Sequence, residues 1–367
     1  MRNALLFWLA VGISAAALAS AAQPTGNSPY HVVKHANVGG EGDWDYIYAD
    51  AAGRRLYIPR EVDASDKRGG AGTRLTIFDL DTLRPLGEIP GVGGSGTVVD
   101  PKSGHGFTSS KPISMFDART MKLIKTIDAA PAADPDGIYF DRSDERVYVF
   151  SHPTQDATVI DARDGRLVGT IALGGRPEEA TADGKGTLYV VLQDEAGSVA
   201  VVDEQAMKVT KHLSLGDAGG CNGLALDASH QVLFAACARS GDRDPATIKV
   251  PWQAIHPIMV VLSARTGTRL AREPLTGSSD GAAFNPATHE AFSTNGDGSL
   301  TVVRETSPMH FELEQNLRTM DGARTITLDA KTGHLFTMAD RRAPAAANAT
   351  EEPQPVPGSF TILEIAR

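Results

Sequence analysis

Cysteine is scarce in this chain: Cys221 and Cys237 are the two among 367 residues. Two thiols alone cannot supply the four ligands of a structural zinc site. The sequence also has no His-Glu-x-x-His metalloprotease motif, no Cys-x-x-Cys-His haem motif and no Gly-x-Gly-x-x-Gly loop between a strand and a helix. The usual signatures of several enzyme classes are therefore missing, and function has to be argued from architecture.

Dense basic runs are absent as well. Arg54-Arg55, Lys67-Arg68 and Arg341-Arg342 are isolated pairs, and the formal net charge is −10 at pH 7. Nucleic acids and anionic membrane surfaces both attract clustered Lys and Arg. We therefore predict that neither is a partner of this protein.

Long apolar runs are confined to the N-terminus. Arg2 precedes an uncharged, mostly apolar segment at residues 4–18, and small residues follow at 19–22. This arrangement predicts an export signal cleaved within residues 19–22, so that the mature protein is periplasmic or secreted. An uncleaved anchor is the alternative, although a bilayer span needs about 20 apolar residues. We predict a signal over residues 1–22 and a single folded domain over residues 30–367.

A repeating pattern is clearest in residues 176–216. Strand-forming runs at 179–182, 187–192, 198–202 and 208–214 alternate with turn segments rich in Asp, Gly and Glu. This pattern is typical of a small antiparallel sheet of four strands. Such a sheet cannot bury its faces alone and needs neighbours of the same kind.

Six further units fit the pattern. An acidic or amide residue closes the first strand of each unit: Asp50, Asp100, Asp141, Asp183, Asp227, Asn285 and Asp329. Third strands align at residues 75–79, 113–117, 157–161, 199–203, 258–262, 300–304 and 360–364. Seven four-stranded units predict an all-β fold, a seven-bladed β-propeller. The carboxylates that end third strands (Asp79, Asp117, Asp161 and Asp203) are predicted to be turn residues rather than catalytic acids.

The last unit lacks a fourth strand, and the N-terminus offers one. Residues 31–40 align with residues 166–175, including the closing Gly-Gly. We predict that this N-terminal strand completes the last blade and closes the ring without an open edge. The alternative is an unstructured lead-in segment.

The best-formed unit resembles a known family. Gly175-Arg176-Pro177, Asp183-Gly184, Leu188-Tyr189-Val190-Val191, Val199-Ala200-Val201-Val202-Asp203 and Gly216 are similar to the repeat of the YVTN-repeat (YncE-like) exported propellers. The resemblance extends over roughly residues 31–365, although units 2, 5 and 6 depart from it in the second strand. It implies an exported binding or scaffold domain and carries over no catalytic residue.

Three units are longer than the others between their second and third strands, at residues 61–73, 239–257 and 341–358. In a propeller, loops at this position emerge on the same face as the connections between blades. Loops carry function more often than the strands that support them, so we predict that this face is the working surface. A simple accumulation of tolerated insertions is the alternative.

Two pairs of residues invite specific interpretations. Counting outward from the turn after Asp227 pairs Leu226 with Val232, and the same register places Cys221 opposite Cys237. Opposed cysteines predict a cross-strand disulfide in an exported protein. Two buried thiols are the alternative. His31 and His35 lie on one side of the N-terminal strand, but no third ligand accompanies them, so we interpret them as structural.

One position is polar in every unit, five residues before the turn residue. It holds Asp45, Ser95, Asp136, Glu178, Asn222, Asp280 and Arg324. We predict that these side chains meet at the mouth of the central channel on the working face. Four converging carboxylates favour a bound divalent cation such as calcium, or a cationic ligand. The alternative is that each side chain caps its own turn.

The leading functional interpretation is an exported, non-catalytic and monomeric protein that binds or scaffolds an unidentified small molecule or protein. A lactonase-like, metal-dependent hydrolase at the channel mouth is the alternative, and a divalent ion held by the mouth carboxylates would favour it. A recognition subunit of a redox assembly is a third class. Fold alone does not choose among them.

Overall fold

A computed structural model describes residues 29–62, 72–129, 134–240, 256–307, 309–343 and 355–367. Within these ranges the ordered elements are 28 strands in seven four-stranded sheets, and no helix is present. The described residues accordingly contain no helix long and apolar enough to span a bilayer. The predicted export signal over residues 1–22 lies outside the described residues.

The strands are numbered along the chain. They are β1 (His31–Asn37), β2 (Tyr48–Asp50), β3 (Arg55–Arg60), β4 (Arg74–Asp79), β5 (Pro85–Pro90), β6 (Thr97–Asp100), β7 (His105–Thr108), β8 (Ile113–Asp117), β9 (Lys122–Ile127), β10 (Pro135–Asp141), β11 (Arg146–Ser151), β12 (Asp156–Asp161), β13 (Arg166–Ala172), β14 (Pro177–Ala182), β15 (Thr187–Leu192), β16 (Ser198–Asp203), β17 (Lys208–Ser214), β18 (Gly219–Asp227), β19 (Val232–Arg239), β20 (Ile258–Ser263), β21 (Arg269–Pro274), β22 (Ser279–Asn285), β23 (Glu290–Asn295), β24 (Ser299–Ser307), β25 (His310–Arg318), β26 (Arg324–Leu328), β27 (Leu335–Ala339) and β28 (Thr361–Ala366).

Six sheets consist of four consecutive strands, beginning with β2–β5 and ending with β22–β25, and we number them blades 1 to 6. Blade 7 has the order β1-β28-β27-β26, so the N-terminal strand supplies its outer edge. The first strands of neighbouring blades contact one another around the whole ring, including β26 with β2. The predicted seven-bladed β-propeller is confirmed, together with its closure by the N-terminal strand.

The core lies between the blades. Each pair of neighbouring blades encloses an apolar cluster; between blades 3 and 4, for example, Tyr148 and Phe150 pack with Leu188 and Val190. In blade 3 the second and third strands are almost entirely buried and the first strand is mostly half-buried, whereas an outer strand such as β9 is largely exposed. Burial of this kind stabilises a blade by roughly 25 cal/mol per Å² of apolar surface, which explains why no blade stands alone.

The seven turn residues that close the first strands accept backbone hydrogen bonds, as their side-chain chemistry predicts. Each carboxylate or amide oxygen accepts the backbone N–H of the residue two positions later, as Asp100 does from Lys102 at 2.9 Å and Asn285 from Ala287 at 3.0 Å. The other acceptors are Asp50, Asp141, Asp183, Asp227 and Asp329. A short side-chain acceptor thus sets the turn from first to second strand in every blade.

The disulfide forms, but the register behind its prediction was wrong. Cys221 and Cys237 are bonded to each other and face each other across β18 and β19. The count from the turn placed Leu226 opposite Val232, whereas Leu226 pairs with Leu233. One extra residue at Asn222, a β-bulge, shifts the register and restores the cysteines to opposed positions.

The three long connections join the second and third strands of blades 1, 5 and 7, as expected. Residues 63–71, 241–255 and 344–354 of these connections lie outside the described part of the chain. The third strand of blade 7 ends two residues later than predicted, at Ala366 instead of residue 364.

Candidate ligand site at the channel mouth

β-bulges place most of the predicted mouth residues. In blades 3 to 7 the first strand gains one residue relative to the second strand just where the polar position falls. Asp136, Glu178, Asn222 and Asp280 lie inside these bulges, and Arg324 begins the last one. A bulge redirects a side chain without ending the strand. In blades 1 and 2 the polar residues precede the first strand instead.

One arc of the mouth links blades 4 to 7. The Asn222 side-chain amide donates to Asp280 Oδ1 at 3.1 Å, and Arg324 Nε lies 3.2 Å from Asp280 Oδ2. Gln193, the residue after the second strand of blade 4, donates to Asn222 Oδ1 at 3.1 Å. The Arg324 guanidinium also lies 5.0 Å from the Trp44 ring centroid, a cation–π distance.

A second arc centres on His152, the residue that follows the second strand of blade 3. Its Nε2 lies 3.0 Å from Asp136 Oδ2 and 3.2 Å from Glu178 Oε1. Tyr46 of blade 1 donates its hydroxyl to Glu178 Oε2 at 3.2 Å, so this contact crosses the channel axis. Asp136, His152 and Glu178 each offer one ligand atom, and these atoms lie within 4.8 Å of one another.

Asp45 and Ser95 complete the ring. Together with Asp280 and Arg324 they line a cavity of about 330 Å³, to which Glu61 also contributes. Glu61 begins the long connection of blade 1, so this insertion starts at the mouth. Four of the seven predicted positions therefore share one cavity. Asn222 contacts Asp280 of this cavity, Asp136 interacts with Asp45, and His152 joins Glu178 to Asp136.

The electrostatics of the mouth favour a bound positive charge. Burial, followed by the charges of Asp280 and Asp136, raises the pKa of Asp45 well above its ordinary value. Burial likewise raises the pKa of Glu178 to about 7, although the contact with His152 opposes this shift. The Glu178 carboxylate in turn raises the pKa of His152. Several acids that share a poorly solvated site favour protons or a cation over empty ionised oxygens.

Below the mouth, Glu179 occupies the channel itself. Its Oε2 accepts the backbone N–H groups of Leu224 at 2.9 Å and Ala282 at 3.0 Å, from blades 5 and 6. Burial raises its pKa to about 8 despite these two donors. A Cβ at Gly281 would lie 3.0 Å from Thr325 Cα, 3.1 Å from Ile326 N and 3.2 Å from Glu179 Oε1, so the glycine leaves room for the neighbouring backbone and for the carboxylate.

Solved structures match this chain in fold. No protein-family model and no curated protein sequence matches it. A chain of hydrazine synthase from Kuenenia stuttgartiensis is similar with 16% identity and a TM-score of 0.66, covering 80% of this chain and 91% of that one. A chain of the mitotic checkpoint complex is similar with 12% identity and a TM-score of 0.66, covering 100% and 98% respectively. At these identities the likeness extends to the fold alone, and a fold does not determine a function.

Sequence reasoning missed His152, Glu179 and Tyr46. Alignment on the turn residue finds positions of the first strand, whereas His152 follows the second strand. The corresponding residue of blade 4, Gln193, also reaches the mouth residue of the next blade. A polar residue directly after the second strand was therefore the sequence signal that could have identified His152. Glu179 and Tyr46 are adjacent to predicted residues, but a partner on another blade cannot be read from one unit.

Two other sequence features are not part of the site. Residues 277–281 fit the spacing Gly-x-Ser-x-Gly, yet Ser279 belongs to strand β22, is fully buried and shares a 2.8 Å hydrogen bond with the Ser293 hydroxyl. It therefore lacks the exposed strand–turn–helix setting of a nucleophile. His31 and His35 lie on the exposed side of β1, and no third ligand accompanies them among the described residues.

Proposed function

We propose that the protein is a binding module whose channel mouth holds a divalent metal ion. The observation that carries this proposal is the convergence of Asp136, His152 and Glu178 within 4.8 Å. Ligand atoms bound to one metal at about 2.0–2.2 Å lie roughly 3 Å apart, and the two measured separations are 3.0 and 3.2 Å. Asp45 lies next to Asp136 and shares a hydrogen bond with it.

The donor set favours a transition metal over calcium. Calcium takes six to eight oxygen ligands, whereas imidazole nitrogen suits zinc and similar ions, and carboxylate oxygen suits manganese. One histidine with two carboxylates fits Zn²⁺ or Mn²⁺ best. The calcium hypothesis drawn from seven polar positions did not include His152, and this residue changes the preferred ion.

The test is a thermal-shift and calorimetric titration of the metal-stripped mature protein with Mn²⁺, Zn²⁺, Ca²⁺ and Mg²⁺. We expect Mn²⁺ or Zn²⁺ to stabilise the wild type, and the double variant D136N/E178Q to lose that stabilisation. The matched control is D117N/D203N, which removes two carboxylates from turns outside the mouth. No metal-dependent shift in the wild type, or equal loss in both variants, would contradict the proposal.

A metal-dependent hydrolase is the second candidate, and one observation favours it. Three protein ligands leave coordination positions for water and substrate, as catalytic sites do. Asp45 is hydrogen-bonded to Asp136 and its raised pKa suits a proton-transferring group. Metal-loaded protein should then hydrolyse members of a lactone and ester panel, and D45N should slow turnover while retaining metal. Absence of hydrolysis by fully loaded protein would leave the binding role.

Export and family membership are further proposals. The apolar segment after Arg2 and the repeat around Leu188–Val191 support an exported protein of the YVTN-repeat type. The Cys221–Cys237 bond agrees with an oxidising compartment. N-terminal sequencing of the secreted or periplasmic protein tests this: a start within residues 20–23 is expected, and retention of Met1 would contradict it.

A further inference from the structure

A second cluster of potential metal ligands lies at the opposite face of the ring, between blades 5 and 6. We call it the base cluster; it consists of Asp227, His230, His289 and Glu305. Asp227 ends the first strand of blade 5, and His230 belongs to the turn that follows it. His289 belongs to the corresponding turn of blade 6, and Glu305 lies on the third strand of that blade.

The ligand atoms are close to one another. His230 Nδ1 lies 2.8 Å from Asp227 Oδ2 and 3.0 Å from Glu305 Oε2. His289 Nδ1 lies 3.7 Å from the same Asp227 oxygen. The edge of a tetrahedron with metal–ligand bonds of about 2.0–2.1 Å is roughly 3.3 Å. The three separations fall on either side of that value, so a small shift of the two rings would admit one ion.

The surroundings hold the ligands in place. Asp227 Oδ1 accepts the backbone N–H groups of Ser229 and His230, which leaves Oδ2 for the cluster. The two imidazole rings stack with their centroids 5.5 Å apart. The carboxylate side chains are 2% and 3% exposed, whereas the histidines are 41% and 46% exposed. Buried oxygens with half-exposed nitrogens above them leave a path for an ion from solvent.

An unsatisfied atom marks the site independently. Glu305 Oε1 is buried and has no hydrogen-bond partner in the described part of the chain. Burying a carboxylate oxygen without a partner is costly. The equivalent residue, identified by the same backbone bond to its own turn, is apolar in blades 1, 2, 3 and 5 (Leu80, Ala118, Ala162 and Ala264) and acidic in blade 4 (Glu204). The acid is therefore not required by the blade, and a ligand would satisfy it.

We propose that the base cluster binds one Zn²⁺ ion that clamps blade 5 to blade 6. Two imidazole nitrogens and two carboxylate oxygens match the ligand types and the coordination number of zinc. The ion would join two turns that belong to different blades. Its site is separate from the channel mouth, since the first strands run from the mouth at one end to these turns at the other.

The test uses the mature protein with the mouth disabled by D136N/E178Q, so that the two sites are measured apart. The protein is stripped of metal and then reloaded with Zn²⁺. We expect calorimetry and elemental analysis each to give one bound Zn²⁺ per chain. Adding H230Q/H289Q should abolish that zinc and the visible absorption of a tetrahedral Co²⁺ substitute. E305Q, a smaller change, should weaken zinc binding at least about tenfold.

Two controls come from the same face of the ring. His334 pairs with Glu364 at 2.7 Å in blade 7, and no third ligand joins them in the described ranges, so H334Q should leave zinc binding unchanged. Glu204 occupies the position of Glu305 in blade 4, beside Asp141 and Asp144 but no histidine, and E204Q should also leave it unchanged. Absence of zinc from the mouth-disabled protein, or its retention in H230Q/H289Q, would overturn the proposal.

Discussion

The two ends of the first strand carry similar residues and use them differently. At the base, the turn residues bond to backbone N–H groups of their own turn, as Asp100 does with Lys102. At the mouth, the described contacts reach other side chains, as in His152 with Asp136 and Glu178. A carboxylate satisfied by its own backbone builds the blade. A carboxylate that lies next to other carboxylates destabilises the folded state by charge repulsion and is available to bind a ligand.

A pH scan of stability tests this difference between mouth and base. The native pKa values of Glu178 and Glu179 are about 7 and 8, above the value near 4.3 of an unfolded chain. The native state therefore binds more protons between pH 5 and 8, and stability falls as pH rises. His152, with its raised pKa, acts in the same direction. We expect a loss on the order of 3 kcal/mol over this range, measured by urea unfolding.

The control for the pH scan is bound metal. Mn²⁺ or Zn²⁺ at saturating concentration should reduce the pH dependence, because the ion replaces the protons that Glu178 and His152 otherwise retain. The contribution of Glu179, which is not in the ligand set, should remain. Stability that rises between pH 5 and 8 in metal-free protein would contradict the account of the mouth.

Replacing a turn residue should destabilise at any pH. Asp100→Ala removes the acceptor of Lys102 N and of the Ser103 hydroxyl from a buried turn, and we expect a loss of about 2 kcal/mol by chemical denaturation. Asp100→Asn is the matched control, since Asn285 fills the same role in blade 6. Equal losses in both variants would mean that charge, and not the acceptor, sets the turn.

Replacing a mouth carboxylate should stabilise the protein, and only at high pH. Glu178→Gln keeps an acceptor for Tyr46 and removes a buried charge. We expect the variant to be more stable than wild type by about 1 kcal/mol at pH 8 and unchanged at pH 5. Glu88→Gln, an exposed acid of blade 1, should show no such pH-dependent gain. Destabilisation at pH 8 would show that Glu178 is a structural residue like Asp100.

The smallest effect concerns Arg324. Its pair with Asp280 is partly exposed, so Arg324→Gln should cost only about 0.5 kcal/mol. The same change removes the positive charge that opposes the acids, and metal affinity at the mouth should increase. Calorimetry measures both quantities, and weaker metal binding in the variant would place Arg324 among the ligand-holding residues instead.

The sequence was sufficient for the fold because each unit repeats its own local signals. Asp183-Gly184 and the apolar run after it mark a turn and a strand, and six other units repeat the arrangement. The mouth ring was accessible for the same reason, since a fixed offset from a turn defines a fixed height in a strand. Closure was accessible because residues 31–40 match a fourth strand whose place was vacant.

The chemistry of the site was less accessible because it depends on contacts between units. His152 reaches Glu178 of the next blade, and Tyr46 reaches the same carboxylate across the axis. Bulges were also invisible in the pattern, although they decide register. The disulfide shows the consequence: Cys221 faces Cys237 because of the extra residue at Asn222, and not because of an unbroken count.

The pairing of β1 with β28 also determines when the molecule can be completed. His31 pairs with Ala366, so β1 has to wait for its partner until β28 has been synthesised. At a synthesis rate of about 5–20 residues per second, that wait is on the order of half a minute. During this time β1 has no partner and blade 7 does not exist. A ring that needs both β1 and β28 therefore stays open until residue 366 has been synthesised.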